Sequence, residues 1–428
     1  MKSIPRSTLV GCKAYSLRDG DKPQKINFRL GKDLFSKVTG PVGPRGFSPA
    51  AADLIDVASS VFQIEKQLRG RQRTNPVVKF DLAMPLRNPS AWGKKATATL
   101  CEILDLLGYP VWNVHFDGGL SAPVPIHQVS NARTIDQIAL FSGGLDSACG
   151  AISLRGAKAK TQLVSCYTGQ KSLQTELAQQ IGYDPPVQWS LHWEQGAGRG
   201  HSYFYRSFLF LALAAATAET WGARRILQFE NGVLATAIPP SPAFAMTHHA
   251  HPSLHRACAQ LFGLVLGGQW TVENPFLNKT KSECVQLAIA SKLPKLEALL
   301  HSTQTCWFYR SNRILSANKR PNTACGVCIP CVLRGTALSD EDCEFDLKKD
   351  SVRNHRTKGR VFRSYYGFLS RILSCDSANH FYAVLPAAGR DLLATGTVQL
   401  TDLYRLFRQF ADEFMKTYEV KPEVANGG

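Results

Sequence analysis

The strongest constraint on this chain is the run Ser142-Gly143-Gly144-Leu145-Asp146-Ser147, directly behind the apolar stretch Ile138-Ala139-Leu140-Phe141. A short buried strand feeds a glycine-rich turn, and Ser147-Ala148-Cys149-Gly150-Ala151-Ile152 can then open a helix. That order builds an anion cradle. Glycines let the backbone approach a ligand closely, and the first helical N–H groups, aligned with the helix dipole, point at a phosphate. Ser142 and Ser147 can add hydroxyl donors, and Asp146 is placed to hold a magnesium ion against the phosphates. The spacing is not that of a Walker A loop, which ends in Gly-Lys-Ser/Thr.

Length and composition narrow the setting. A chain of 428 residues suggests two or three domains, and 44% hydrophobic with 19% charged residues is the balance of a folded protein. The longest apolar candidate, Phe208 to Ala218, is about half the ~20 residues of a membrane span. Met1-Lys2-Ser3-Ile4-Pro5-Arg6 has no apolar signal region behind it, so a cytoplasmic protein without a membrane partner is expected. The net charge of +17 favours an anionic partner, whether nucleotide, nucleic acid or acidic protein. Basic residues are densest from Lys348 to Arg363, with Phe362, Tyr365 and Tyr366 close by. That run reads either as a nucleic-acid or partner patch or as a solvated linker.

Along the chain, residues 1–130 read as an α/β accessory domain, with strands at Val77 to Met84 and Val111 to Phe116 around a helix from Trp92 to Leu107. Ser121 to Asn131, with two prolines, reads as a linker. From Thr134 strands and helices alternate, the pattern of a parallel sheet covered on both faces. Ligands in such sheets sit beyond the carboxyl ends of the strands, which puts Ser142, the loop after Tyr167, His192 and Glu230-Asn231-Gly232 on one rim. Residues 345–428 read as a helical region, clearest from Val398 to Met415, with a polar tail ending in Gly427-Gly428.

The cysteines carry the second signal. Twelve in an intracellular chain argue against a disulfide framework, and most are scattered in apolar contexts. Cys325-Gly-Val-Cys328-Ile-Pro-Cys331, with Cys306 upstream, supplies four thiolates in two arms, a closed tetrahedral Zn2+ site. A ferredoxin-type cluster is the rival, but its further cysteine followed by proline is missing. Cys343 is a substitute fourth ligand in acidic, polar surroundings, and His248-His249-Ala250-His251 reads as substrate contacts or a plain loop.

The loop resembles the pyrophosphate (PP) loop, SGGxDS, of the N-type ATP pyrophosphatases, which attack ATP between its α and β phosphates and leave AMP on a substrate oxygen. The resemblance implies the doubly wound parallel sheet of the adenine nucleotide alpha hydrolase type. It also implies ATP and Mg2+ as cofactors, with Phe141, Ser142, Gly143, Gly144, Leu145, Asp146, Ser147 and Tyr167 at the nucleotide. The cysteine run with Thr305-Cys306-Trp307, and the stretch Asn274-Pro275-Phe276-Leu277-Asn278-Lys279-Thr280-Lys281 with Glu283 as the acidic residue of a Lys-x-Glu pattern, resemble the 7-cyano-7-deazaguanine synthase (QueC) family. The resemblance covers roughly residues 134 to 343. It implies adenylation of 7-carboxy-7-deazaguanine, displacement of AMP by ammonia, and a second activation to the nitrile.

The chain departs from that pattern in residues 1–130, the long basic spacer from Trp307 to Ala324, and residues 345–428. There it is similar to the elongated QueC-like proteins of bacterial anti-phage defence operons. That branch implies a protein N-terminal amine as acceptor and a 7-amido-7-deazaguanine conjugate as product. A housekeeping-type synthase using ammonia and a PP-loop enzyme modifying tRNA or other nucleic acid are the alternatives. Asp146, Ser142 and Lys279 are the expected catalytic residues, with Lys279 neutralising charge at the α-phosphate. Arg206, Glu230 and Asn231 are expected at the substrate, the guanidinium on its carboxylate and the acid on its guanine-like edge.

Overall fold

The computed structural model describes residues 8–16, 22–68, 77–120, 122–125, 127–129, 134–166, 170–194, 204–307, 323–338 and 343–421. Its N-terminal region comprises β1 (Leu9–Ser16), β2 (Gln24–Arg29), β3 (Leu34–Thr39), β4 (Pro41–Val42), α1 (Pro49–Leu68), β5 (Val77–Leu86), α2 (Lys94–Leu107), β6 (Val111–Gly118) and β7 (Gln128–Val129). Four of these strands form a sheet of order β2-β1-β5-β6, antiparallel except between β5 and β6. In β1, Val10, Cys12 and Ala14 are buried while Leu9 and Lys13 are exposed, the period of a strand with one wet face. Trp112 stacks on Phe80 in the core of this sheet, ring centroids 4.2 Å apart.

The central sheet is built from β8 (Gln137–Leu140), β9 (Thr161–Cys166), β10 (Val187–Trp193), β11 (Arg225–Gln228) and β12 (Thr271–Glu273). Between and after them run α3 (Leu145–Leu154), α4 (Lys171–Ile181), α5 (Arg206–Trp221), α6 (Gly232–Ala235), α7 (Pro252–Leu266), α8 (Lys281–Ala290), α9 (Leu296–Ser302) and α10 (Ile329–Gly335). The strand order is β12-β11-β8-β9-β10-β3. The five strands from this region are parallel, and β3 of the N-terminal region closes the edge antiparallel to β10, from Leu34↔Trp193 to Thr39↔Gln188. Adjacent residues of each strand serve opposite cores: Ile138, Val164 and Ile226 face the α5 and α7 side, while Ala139, Leu163 and Leu227 face the α3, α4 and α8 side. Both faces are therefore covered, as parallel sheets require.

The N-terminal lobe shares the first of these cores. Its α1 packs on α5 and its α2 on α7, and one continuous cluster runs from Val10 and Phe80 to Leu211 and Phe262. Across the seam the Trp112 indole N–H donates to the buried Tyr205 hydroxyl at 2.8 Å, and the Gly43 N–H donates to Thr220 Oγ1 at 2.8 Å.

The C-terminal region holds α11 (Asp350–Arg353), α12 (Arg360–Leu373), α13 (Ala378–Val384), α14 (Ala387–Ala394) and α15 (Leu400–Thr417). In α15, Leu403, Leu406, Phe407, Phe410, Phe414 and Met415 are buried at helical spacing. They join Phe362, Tyr365 and Phe368 of α12 and the residues Cys325 to Leu333 in a single apolar cluster. The basic run is built into this lobe. Arg353 donates to the Leu347 and Tyr418 carbonyls at 2.5 Å each, Arg360 to the Ala243 carbonyl at 3.0 Å, and Arg363 to the His355 carbonyl at 3.0 Å. Lys358 sits over the Phe345 ring, 3.9 Å from its centroid. No helix among the described residues is long and apolar enough to cross a membrane.

Candidate nucleotide site and cysteine cluster

Chain order and strand order together locate the site. From β8 the chain steps outward through β9 and β10, then returns to place β11 and β12 on the other side of β8. Crevices for ligands open where an α/β sheet reverses direction in this way. The loop after β8 and the turn after β11 face one another there.

The first wall is the glycine loop. Gly143 lies in the left-handed region at φ +81°, a conformation an L side chain adopts only with strain. The Gly143 carbonyl accepts from the Gln304 N–H at 3.0 Å, and Ser142 Oγ accepts from the Gly144 N–H at 3.1 Å. Ser147 Oγ donates to the Gly144 carbonyl at 2.9 Å and lies 3.1 Å from Ser142 Oγ. Below the loop, Ser165 Oγ donates to the Phe141 carbonyl at 2.5 Å, and Gln174 Nε2 to the Ser142 carbonyl at 3.2 Å. The turn is held from three directions, so its N–H groups are fixed before any ligand arrives.

Asp146 is the centre of the second wall. It is 5% exposed, and its Oδ2 accepts from Lys281 Nζ at 2.6 Å and Asn231 Nδ2 at 3.0 Å. Burial pushes its carboxyl up, but the Lys281 ammonium and hydrogen bonds from Glu230, Lys281 and Asn231 outweigh it and bring it down to about 2. The ammonium is buried too, at 2% exposure, and is held charged by Asp146 and Glu230 against the penalty of burial. Asn231 bridges onward to Glu230 Oε1 at 2.8 Å, and Glu230 Oε2 meets His249 Nε2 at 2.8 Å. Burial, then the neighbouring Asp146 charge, raises Glu230 to about 7.

The remaining oxygen, Asp146 Oδ1, is buried with no hydrogen-bond partner among the described residues, as are Gln174 Oε1, Gln304 Oε1 and Thr305 Oγ1 around the same loop. An unpaired carboxylate oxygen beside a glycine loop at a helix N-terminus fits a magnesium ion, which typically takes one or two carboxylates plus phosphate oxygens.

The expected site residues are distributed as follows. Phe141, Ser142, Gly143, Gly144, Leu145, Asp146 and Ser147 form the loop and first turn of α3. Tyr167 lies outside the described residues. The lysine brought to Asp146 is Lys281, not Lys279, whose carbonyl instead accepts from the Gly232 N–H at 2.8 Å. The signal was present, since a Lys-x-Glu pattern ending at Glu283 puts its lysine at 281. Arg206 opens α5 beside Cys166, whose thiol burial pushes up to about 12 against the pull of that guanidinium. Asn231 is fully buried, its amide committed to Asp146 and Glu230 and its Oδ1 to the Leu234 N–H that it caps. His192 is stacked on Phe35 of β3 with centroids 5.0 Å apart.

The four cysteines converge as a second centre. The Sγ atoms of Cys306, Cys325, Cys328 and Cys331 all lie within 4.8 Å of one another, and Cys325 and Cys331 are 3.9 Å apart. Sulfurs at Zn–S near ~2.3 Å stand about 3.8 Å apart on a tetrahedron, so the set fits zinc. The Cys328 and Val327 N–H groups donate to Cys325 Sγ at 3.3 and 3.4 Å, and the Cys325 N–H to Cys306 Sγ at 3.3 Å, bonds that favour thiolates. Gly326 turns at φ +77°, and a Cβ there would lie 2.1 Å from the Phe345 carbonyl oxygen. Cys343 stands outside the set and bridges in parallel to Ala324. Among the described residues no histidine joins a metal-holding group. The spacer from Trp307 to Ala324 lies mostly outside the described residues. Gln304 and Thr305, which touch the glycine loop, run straight into Cys306.

Residues 201–342 match the family model of queuosine biosynthesis protein QueC. This stretch, about a third of the chain, contains Glu230, Asn231, Lys281 and all four cysteines. It supports a QueC-like, ATP-using enzyme with a 7-deazaguanine-type substrate. The glycine loop precedes the matched stretch and stands on its own geometry. No curated protein matches the chain.

Proposed function

We propose that this protein adenylates 7-carboxy-7-deazaguanine with ATP and joins the activated acyl group to an amine, the N-terminal amine of a partner protein. The observation that carries the reading is the convergence of the glycine loop with Asp146 and Lys281 beside the QueC-matching stretch. The loop N–H groups and the α3 N-terminus bind the phosphates. Asp146, through Oδ1, and the phosphates would hold the magnesium, which supplies charge neutralisation when bound. The substrate carboxylate attacks the α-phosphorus, the bond to pyrophosphate breaks, and Lys281 balances charge on the α-phosphate. The amine nitrogen then attacks the acyl carbon, AMP leaves with the bonding pair, and the amine loses a proton. A secondary amide cannot be dehydrated to a nitrile, so the reaction stops there. Gripping a polypeptide demands about 800 Å² per partner, and the N-terminal and C-terminal lobes are where this reading puts that contact.

The test is to incubate the protein with ATP, 7-carboxy-7-deazaguanine and the product of the neighbouring reading frame. AMP should form, and the neighbour's N-terminal peptide should gain one deazaguanine acyl group. Free nitrile from ammonia, with no change in the neighbour's mass, would instead mark a housekeeping-type synthase.

A further inference from the structure

The lysine at the centre of the site stands on the first turn of α8, and that turn is gripped from outside the QueC-matching stretch. Thr280 caps α8, accepting from the Glu283 N–H at 3.1 Å while the Glu283 carboxylate accepts from the Thr280 N–H at 2.7 Å. Such a capping box fixes the helix start. Both of its members are held by α15. Thr280 Oγ1 donates to Glu413 Oε1 at 2.8 Å, and Arg405 Nη1 donates to Glu283 Oε1 at 2.9 Å. Arg405 Nη2 also donates to the Asn278 carbonyl, and Gln409 Nε2 orients Glu413 from one turn away at 3.0 Å.

The same helix packs on the opposite wall. A Cβ at Gly232 would lie 2.7 Å from Leu406 Cδ2 and 2.0 Å from the Leu277 carbonyl oxygen, so α15, the turn carrying Asn231 and the loop before Lys281 meet at one point. We infer that α15 completes the nucleotide site, with Glu413 and Arg405 acting as positioning residues that set the α8 turn and hold Lys281 on Asp146. A buried ammonium 2.6 Å from its carboxylate has no slack for a shifted helix start. A misplacement of an ångström would break the Lys281–Asp146 contact and carry the ammonium away from where the phosphates would sit. The C-terminal lobe is then part of the nucleotide site itself.

The inference rests on the nucleotide reading, and MgATP affinity of the full-length protein, measured by calorimetry, tests it without the acyl substrate. Arg405→Ala and Glu413→Ala should each weaken MgATP by about tenfold, the scale of losing one hydrogen bond to a charged group. Arg405→Lys and Glu413→Gln, which keep a donor and an acceptor, should recover most of that loss. In a Lys281→Met background Arg405→Ala should have no further effect, because the lysine it positions is gone. Arg405 is half-exposed, so its variants read the contact even if Glu413→Ala fails to fold. Wild-type affinity in Arg405→Ala, or a further tenfold loss on top of Lys281→Met, would overturn the inference. A wild-type protein that binds no MgATP would overturn the nucleotide reading as well. One that binds MgATP but never turns over the deazaguanine acid would overturn the proposed substrate alone.

Discussion

Removing the metal from the cysteine cluster should unfold the C-terminal lobe before it disturbs the central sheet. Cys325, Cys328 and Cys331 belong to the same apolar cluster as Tyr365 and Phe368 of α12 and Phe407, Phe410 and Phe414 of α15. A structural zinc contributes on the order of 10–16 kcal/mol of apparent binding free energy in small zinc folds. A whole domain is stable by only about 5–15 kcal/mol. A zinc held by the four thiolates would therefore rival everything else that holds this lobe, whereas α3 and α5 pack in the other two clusters. Amide hydrogen exchange reads the difference. Zinc stripped with a chelator, or Cys328→Ser, should raise exchange in α10, α12 and α15 while α5 keeps its protection, and elemental analysis should fall from one zinc per chain. A zinc-free protein with unchanged exchange in α12 and α15 would refute the reasoning, and stoichiometric iron would refute the metal assignment.

The other expectations concern the site and its supports. Asp146→Ala should abolish AMP formation with circular dichroism unchanged, and normal AMP yield would remove the loop from the mechanism. Glu230 titrates near 7 in the fold against an ordinary value of 4.5, so the native state holds its proton where the unfolded chain has lost it. Stability from this group is full below about 4.5 and is lost as pH rises toward 7, a swing of up to about 3 kcal/mol. Glu230→Gln should flatten urea-unfolding free energies across that window relative to wild type, and parallel profiles would contradict the assignment. Trp112→Phe strands the buried Tyr205 hydroxyl at the seam between the lobes and should cost about 1–3 kcal/mol in the same assay. A loss below a few tenths would mean the seam is held by packing alone.

The local parts of this protein were legible in its sequence because they are written in neighbouring residues. Strand, glycine turn and helix at Ile138 to Ile152 need only adjacent residues to form. The close cysteine spacing places three sulfurs on one knuckle, and alternation of apolar strands with helices indicates the covered sheet. The helix from Pro49 to Leu68 is written in the same way, in the helical spacing of the buried Leu54, Ile55, Ala58, Val61 and Ile64. What the tertiary structure decided are pairings between distant segments. β3 closes the edge of the central sheet by pairing with β10, some 150 residues away, a partner no local pattern specifies. Lys281 rather than Lys279 faces Asp146 because the capping box at Thr280 starts α8 at Lys281 and leaves Lys279 in the turn before it, its backbone bonded to Phe276 and Gly232. The contact of α15 with that turn joins residues 280 and 413, and only the folded chain brings them within 2.8 Å.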